Sequence, residues 1–253
     1  MALASCFFPL PPPSRGACSR AHSAAAGTAT SPPSSGTLEA ILSSRIIACL
    51  RAQDADTAME AACAALSGGI SVLEIVMSTP GVLEVVLLFH HVVKELLNHY
   101  PSSVIGVGTV LNAEDARKAV NAGAGFLMSP GTIMEILVDH HNSNVLYIPG
   151  AMTPTEVLFA HNTGARIVKI YPVSILGGER YISAIKKPFP HIPMVASQGI
   201  TTETIGRYIG CGASAVVLSD AIFEKEAMAR RDFKEICRLA RLATLQVGQS
   251  AKI

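Results

Sequence analysis

The sequence predicts an α/β fold, a (β/α)8 TIM barrel over residues 39–253 behind a leader of residues 1–38, and three observations predict it. First, short β-rich runs alternate with helical stretches eight times, with connections of only a few residues. Strict alternation implies parallel strands joined by right-handed crossovers, and eight such units close into a barrel. Second, 49% of residues are apolar but only 5% are aromatic and none is Trp, so the core must be built from Ala, Val, Ile and Leu. That suits a buried parallel sheet wrapped by Ala-rich helices. Third, no GxGxxG turn follows the first strand, which disfavours the competing open, doubly wound sheet.

The predicted strands are Ile46–Leu50, Val72–Val76, Val104–Val107, Phe126–Met128, Val145–Ile148, Ile167–Ile170, Pro193–Ala196 and Ala215–Leu218. Between them the helix signals are local. Asp54 caps a helix over Asp54–Leu66, which Gly68-Gly69 stops. Helices follow over Val82–Tyr100, Ala113–Ala122, Thr132–His141, Thr153–Asn162, Gly178–Lys187 and Thr202–Ile209. Asp232 caps a last one from Phe233 to about Leu245. In Thr153-Pro154-Thr155-Glu156 the proline sits where a helix start tolerates its missing N–H. A substrate role for that segment is the secondary reading. Gly177-Gly178 reads either as a flexible loop or as a place where backbone approaches substrate.

The leader has no Asp or Glu before Glu39, is rich in Ala, Ser and Pro, and carries Arg15 and Arg20. Pro9 and Pro11-Pro12-Pro13 break its only apolar patch, unlike a secretory signal. It reads as an organelle transit peptide, of plastid rather than mitochondrial type, with an unstructured cytosolic tail as the alternative. The expected location is therefore the chloroplast stroma.

Other classes are disfavoured by composition. With 20 basic and 19 acidic residues there is no basic excess to attract nucleic acid. The most apolar stretch, Val82–Val93, contains Glu84, His90 and His91 and is too short to span a membrane. Cys6, Cys18, Cys49, Cys63, Cys211 and Cys237 show no CxxC spacing, and the last four read as buried apolar residues in a reducing compartment. The doublets His90-His91 and His140-His141 lie within predicted helices, where adjacent residues do not share a face, so no metal site is expected.

In a barrel, chemistry belongs at the C-terminal strand ends. The polar residues there are Arg51, Glu74, Thr109, Ser129, Lys169 and Ser197. Two of them stand out. Glu74 alternates with Val72 and Val76, and Lys169 with Ile167, so both charges share faces with apolar neighbours. If those faces point inward, strands two and six bring the pair together across the barrel mouth. Burial disfavours the charged form of either group, which makes an amine nucleophilic and a carboxyl a proton shuttle. The alternative is a buried Glu–Lys ion pair, or a lysine reaching out from its strand end.

Several segments in order resemble the 2-keto-3-deoxy-6-phosphogluconate (KDPG) / 4-hydroxy-2-oxoglutarate (KHG) aldolase family. They are IIACLRA (Ile46–Ala52), GGISVLEI (Gly68–Ile75), GVGTVLN (Gly106–Asn112), AGAGFLMSPG (Ala122–Gly131), IPGAMTPTE (Ile148–Glu156), VKIYP (Val168–Pro172), Gly177-Gly178 and KPFP (Lys187–Pro190). The resemblance implies a class I aldolase of 2-keto acids with pyruvate as one product, a homotrimer, and no metal or organic cofactor. It gives Lys169 the Schiff-base role, Glu74 general acid/base catalysis, and Thr109 contact with the pyruvyl group. Arg51 would hold a carboxylate, while Ser197 and Gly199 would contact substrate. A barrel that binds a small keto acid without turnover is the alternative function.

Three positions depart from the family pattern. Ser78 stands where many members have a carboxylate-binding arginine. Ala196-Ser197-Gln198-Gly199 replaces Pro-Thr-Gly-Gly, and Leu218-Ser219-Asp220 replaces a glycine-rich turn with serine. The last two place bulk and negative charge where the resemblance puts phosphate, unless Asp220 turns away to cap the next turn. An unphosphorylated substrate such as 4-hydroxy-2-oxoglutarate therefore fits better than KDPG.

Overall fold

The computed structural model describes residues 35–77, 92–140 and 142–250. Among the described residues all sheet pairings are parallel, and the strand order is that of a barrel. The strands are β1 (Ile46–Leu50), β2 (Val72–Val76), β3 (Val104–Gly108), β4 (Phe126–Met128), β5 (Leu146–Ile148), β6 (Gly150–Ala151), β7 (Val168–Ile170), β8 (Met194–Ser197) and β9 (Ala215–Leu218). All eight predicted strands are present, four with identical bounds. The extra one arises because Pro149 divides the fifth strand. Having no N–H, it cannot donate to the ladder, so β5 pairs with β4 while β6 pairs with β7. The Pro149 carbonyl still accepts from Lys169 N at 2.8 Å, which carries the ladder across the break and closes the barrel.

The helices follow their predicted caps. In α2 (Ala55–Ser67) the Asp54 carboxylate accepts from Thr57 N at 2.8 Å, and the helix ends at Gly68. A Cβ on Gly68 would lie 2.6 Å from Ala240 Cβ, so glycine lets the last helix pack closely there. Helical residues 92–99 belong to the predicted Val82–Tyr100 helix, whose earlier part lies outside the described residues, as does His141. Next come α3 (Ala113–Asn121), α4 (Met134–His140), α5 (Pro154–Asn162) and α6 (Glu179–Lys186). Thr202–Ile209 is not one helix but a 3-10 turn, Thr202–Thr204, leading into α7 (Ile205–Gly210). Asp232 caps α9 (Phe233–Ser250) through Glu235 N, but that helix runs past Leu245. No described helix is long and apolar enough to cross a membrane.

Two helices were not predicted: α1 (Ser35–Ser44) and α8 (Lys225–Ala229). The first begins inside the stretch assigned to the leader. Its Leu38 and Ile41 pack against the inward-facing residues of the barrel and plug its N-terminal end. Residues 1–34 lie outside the described residues.

The core has two layers, and the period-two alternation of the strands sorts residues between them. Outward residues such as Ala48, Leu73, Val107 and Val168 meet the helices, where α2 alone contributes Ala58, Ala61, Ala62 and Ala65. Inward residues, among them Ile47, Cys49, Val72, Phe126, Met128 and Val195, fill the barrel. Glu74 and Lys169 fall on inward positions of β2 and β7, which meets the condition set by the sequence. Strand β3 contributes glycine to both of its last inward positions. A Cβ on Gly106 would collide with the Phe126 ring, and one on Gly108 would collide with the Glu74 carboxylate. Those glycines make the space in which Glu74 sits.

Candidate active site

A cavity of about 620 Å³ opens at the C-terminal ends of β1, β7, β8 and β9. Arg51, Lys169, Ser197 and Gly199, four of the predicted site residues, line it together with Tyr171, Gln198, Glu203 and Asp220. Lys169 is only 7% exposed, and its Nζ lies 4.9 Å from the centre of the Tyr171 ring. The aromatic face favours a cation without supplying a counter-charge. Arg51 extends from the end of β1, where Nη1 donates to Ser219 Oγ at 3.3 Å.

Glu74 lies deeper, 1% exposed. Among the described residues no ion pair joins it to Lys169, so the buried salt bridge considered from the spacing is absent. Its Oε2 has no hydrogen-bond partner at all. A buried polar atom left unpaired costs on the order of 1–3 kcal/mol, more if charged, and such a cost calls for a compensating role. An inward carboxyl with a free oxygen and an inward amine with no acid partner form a site poised for a substrate rather than a finished structural contact.

Cys49 links the two levels. It is the β-ladder partner of Glu74, is 4% exposed and also lines the cavity. Burial pushes its thiol well above the usual range, and the charge of the adjacent Glu74 carboxylate adds to this; Arg51 and Lys169 pull the other way. The thiol therefore stays protonated near neutrality and is no nucleophile. Sequence reasoning treated Cys49 as core filler, because nothing local distinguishes a cysteine beside a carboxylate from one among leucines. All four described cysteines are free, but Cys63, Cys211 and Cys237 are only half-buried, against expectation, since they sit on or beside helices rather than within the sheet.

Thr109 stands at the end of β3, half-buried, and does not line this cavity. Its φ of 60° places a β-branched residue in the left-handed region, and Gln198, at the end of β8, has φ of 88°. Such strain persists only where surrounding contacts impose it, and functional sites are where it collects. Gln198 is held by the Ser174 hydroxyl, which donates to its side-chain oxygen. Ser129 is committed elsewhere: its Oγ donates to the Val110 carbonyl at 2.5 Å.

The remaining alternatives resolve simply. Thr153 and Glu156 form a reciprocal capping box with Pro154 at the helix start, as the helix-start reading expects. Its Glu156 carboxyl is held below the usual range by the N–H groups of Met152 and Thr153. Gly177 and Gly178 have φ of 116° and 63°, and Gly178 N bonds to the Val173 carbonyl, which makes them a turn into α6. The turn after β9 is closed by Ile222 N and Phe223 N on the Ser219 carbonyl, not by Asp220, which instead lines the cavity. Ser78 lies outside the described residues.

The family model described as KDPG and KHG aldolase matches residues 38–239. A 2-dehydro-3-deoxy-phosphogluconate aldolase of Treponema pallidum is 29% identical over 215 residues, 83% of this chain and 96% of its own length. The KHG/KDPG aldolase of Escherichia coli K12 is 26% identical over 180 residues, 71% of this chain and 81% of its own. Among solved structures, a KDPG aldolase from Legionella pneumophila with pyruvate captured at low pH as a covalent carbinolamine aligns with TM-score 0.73. The identity there is 26%, covering 85% of this chain and 98% of that one.

Proposed function

The chain belongs to the KDPG and KHG aldolase family, and on that premise we propose that it is a class I aldolase acting on a 2-keto acid through Lys169. The observation that carries the reading is the inward, nearly buried Lys169 amine on the cavity wall with no acid partner, above a buried Glu74 with an unpaired oxygen. The Lys169 amine attacks the C2 carbonyl, and loss of water from the carbinolamine leaves an iminium. That iminium accepts the electron pair of the C3–C4 bond as the aldehyde departs. Protonation of the resulting enamine at C3 and hydrolysis then release pyruvate and the amine. Glu74, directly or through a water, removes the C4 hydroxyl proton and serves carbinolamine dehydration. Arg51 is placed to hold the substrate carboxylate, as a guanidinium does well.

Borohydride in the presence of pyruvate tests this. The expected result is one reductively trapped pyruvyl adduct, mapped by mass spectrometry to Lys169, and none elsewhere. An adduct on other lysines only, or none, would overturn the reading.

Two further properties belong to the same proposal. The chain acts as a homotrimer, an assembly that would cover exposed apolar residues such as Leu111, Met152, Phe159 and Ile175. The acid-free leader directs it to the plastid stroma. Sedimentation at the monomer mass would exclude the first; a diffuse cytosolic signal from a full-length fluorescent fusion with an intact N-terminus would exclude the second.

A further inference from the structure

The cavity carries few positive charges for a site that handles acids. Among the described residues, Arg51 and Lys169 are its only basic lining residues, against the two carboxylates of Glu203 and Asp220. Both basic groups serve the pyruvyl half of the substrate: Lys169 takes C2, and Arg51 takes the carboxylate beside it. The wall left for the aldehyde half is Gln198, Thr201, Thr202, Glu203 and Asp220. Glu203 is held below the usual carboxylate range by its hydrogen bond with Thr201, so its charge persists in mild acid. The Gln198 side-chain oxygen is occupied by Ser174, which leaves its amide N–H groups as neutral donors.

We infer that the aldehyde half of the substrate is an uncharged hydroxyaldehyde, bearing neither a phosphate nor a second carboxylate. The inference rests on the aldolase reading and narrows it. Hydroxyl groups donate to the carboxylates of Glu203 and Asp220 and exchange hydrogen bonds with the threonines and Gln198. An anionic aldehyde meets two like charges there, and no further described lining residue is a cation. Hydroxyl-rich substrates are selected by such pairing because a partner that cannot complete it leaves polar groups unsatisfied. The same charge count disfavours both a phosphorylated sugar acid and a dicarboxylic substrate such as 4-hydroxy-2-oxoglutarate, whose aldehyde half, glyoxylate, is itself an anion.

The test runs the reaction in the direction of synthesis. Pyruvate is offered with glyceraldehyde, glyceraldehyde 3-phosphate or glyoxylate, and kcat/KM is measured for each aldehyde. The full chain should prefer glyceraldehyde over either anion by about tenfold or more. In the variant Glu203→Gln with Asp220→Asn, both exposed positions, the neutral-to-anionic ratio should fall by about tenfold. Added salt should narrow the wild-type ratio, because exposed charges are screened. Equal or better use of either anionic aldehyde by the wild type overturns the inference, as does a ratio that the double variant does not move. Borohydride trapping of pyruvate alone, which needs no aldehyde, separates the two levels. An adduct on Lys169 with an anionic preference sinks only the inference; no adduct sinks the aldolase reading and the inference with it.

Discussion

Lys169→Ala should abolish turnover, with a fall on the order of 10⁴-fold or more, the scale seen when other enzymes lose a covalent nucleophile. The fold should survive. Lys169 is 7% exposed and makes no ion pair among the described residues, so removing it takes a desolvated amine out of the barrel wall. Neighbours Gly150 and Val195 in the ladder keep their backbone pairing, because Lys169 contributes to it through its main chain. Thermal melting of the variant should therefore match or exceed that of the wild type. Chelators should leave the wild-type rate unchanged. Cleavage by Lys169→Ala at an undiminished rate would rule out the Schiff base.

Glu74→Gln should lower kcat by roughly 10²–10⁴-fold, the range that general acid–base catalysis supplies. Pyruvate trapping by borohydride should be slowed but still detectable, since the amine is intact. The amide keeps shape and volume within the pocket beside Gly108, so a large loss reports proton transfer rather than packing. A companion variant tests the same point from the opposite side. Gly108→Ala leaves the glutamate in place chemically but puts a methyl group where its carboxylate lies. Displacing a reacting group by about 1 Å costs roughly 10²-fold, so this single methyl should approach the Glu74→Gln effect. If Glu74→Gln turns over at the wild-type rate, Glu74 is a structural neighbour of Cys49 and no proton shuttle.

Most of the fold and half of the site were legible in the residues. Alternation of β-rich and helical runs placed all eight strands because each signal is local: caps such as Asp54 and Thr153, stops such as Gly68, and apolar runs between them. The same period-two argument put Glu74 and Lys169 on one face with their apolar neighbours, and the barrel turned those faces inward. Two kinds of feature escaped. The helices α1 and α8 carry no strong terminal signal, and α1 owes its place to a barrel end that must be filled. Pro149 could be read as a strand stop, but that the chain resumes the ladder on its other side depends on which strands flank it.

By itself, the sequence determined the strand count, the parallel sheet, the face that each reactive charge shares with apolar neighbours, and a lysine on the third-from-last predicted strand. Each of these follows from residue order and from the geometry of a single strand or helix. Only the tertiary structure decided who meets whom. It left Glu74 and Lys169 without an ion pair between them, set Cys49 beside Glu74 in the ladder, and left Thr109 off the cavity wall. It also placed Asp220 and Glu203 on the lining of the cavity that a substrate would occupy. The reason is that strand register and barrel closure set these distances through contacts between residues far apart in the chain, such as Cys49 with Glu74 and Arg51 with Ser219, and no local pattern encodes them.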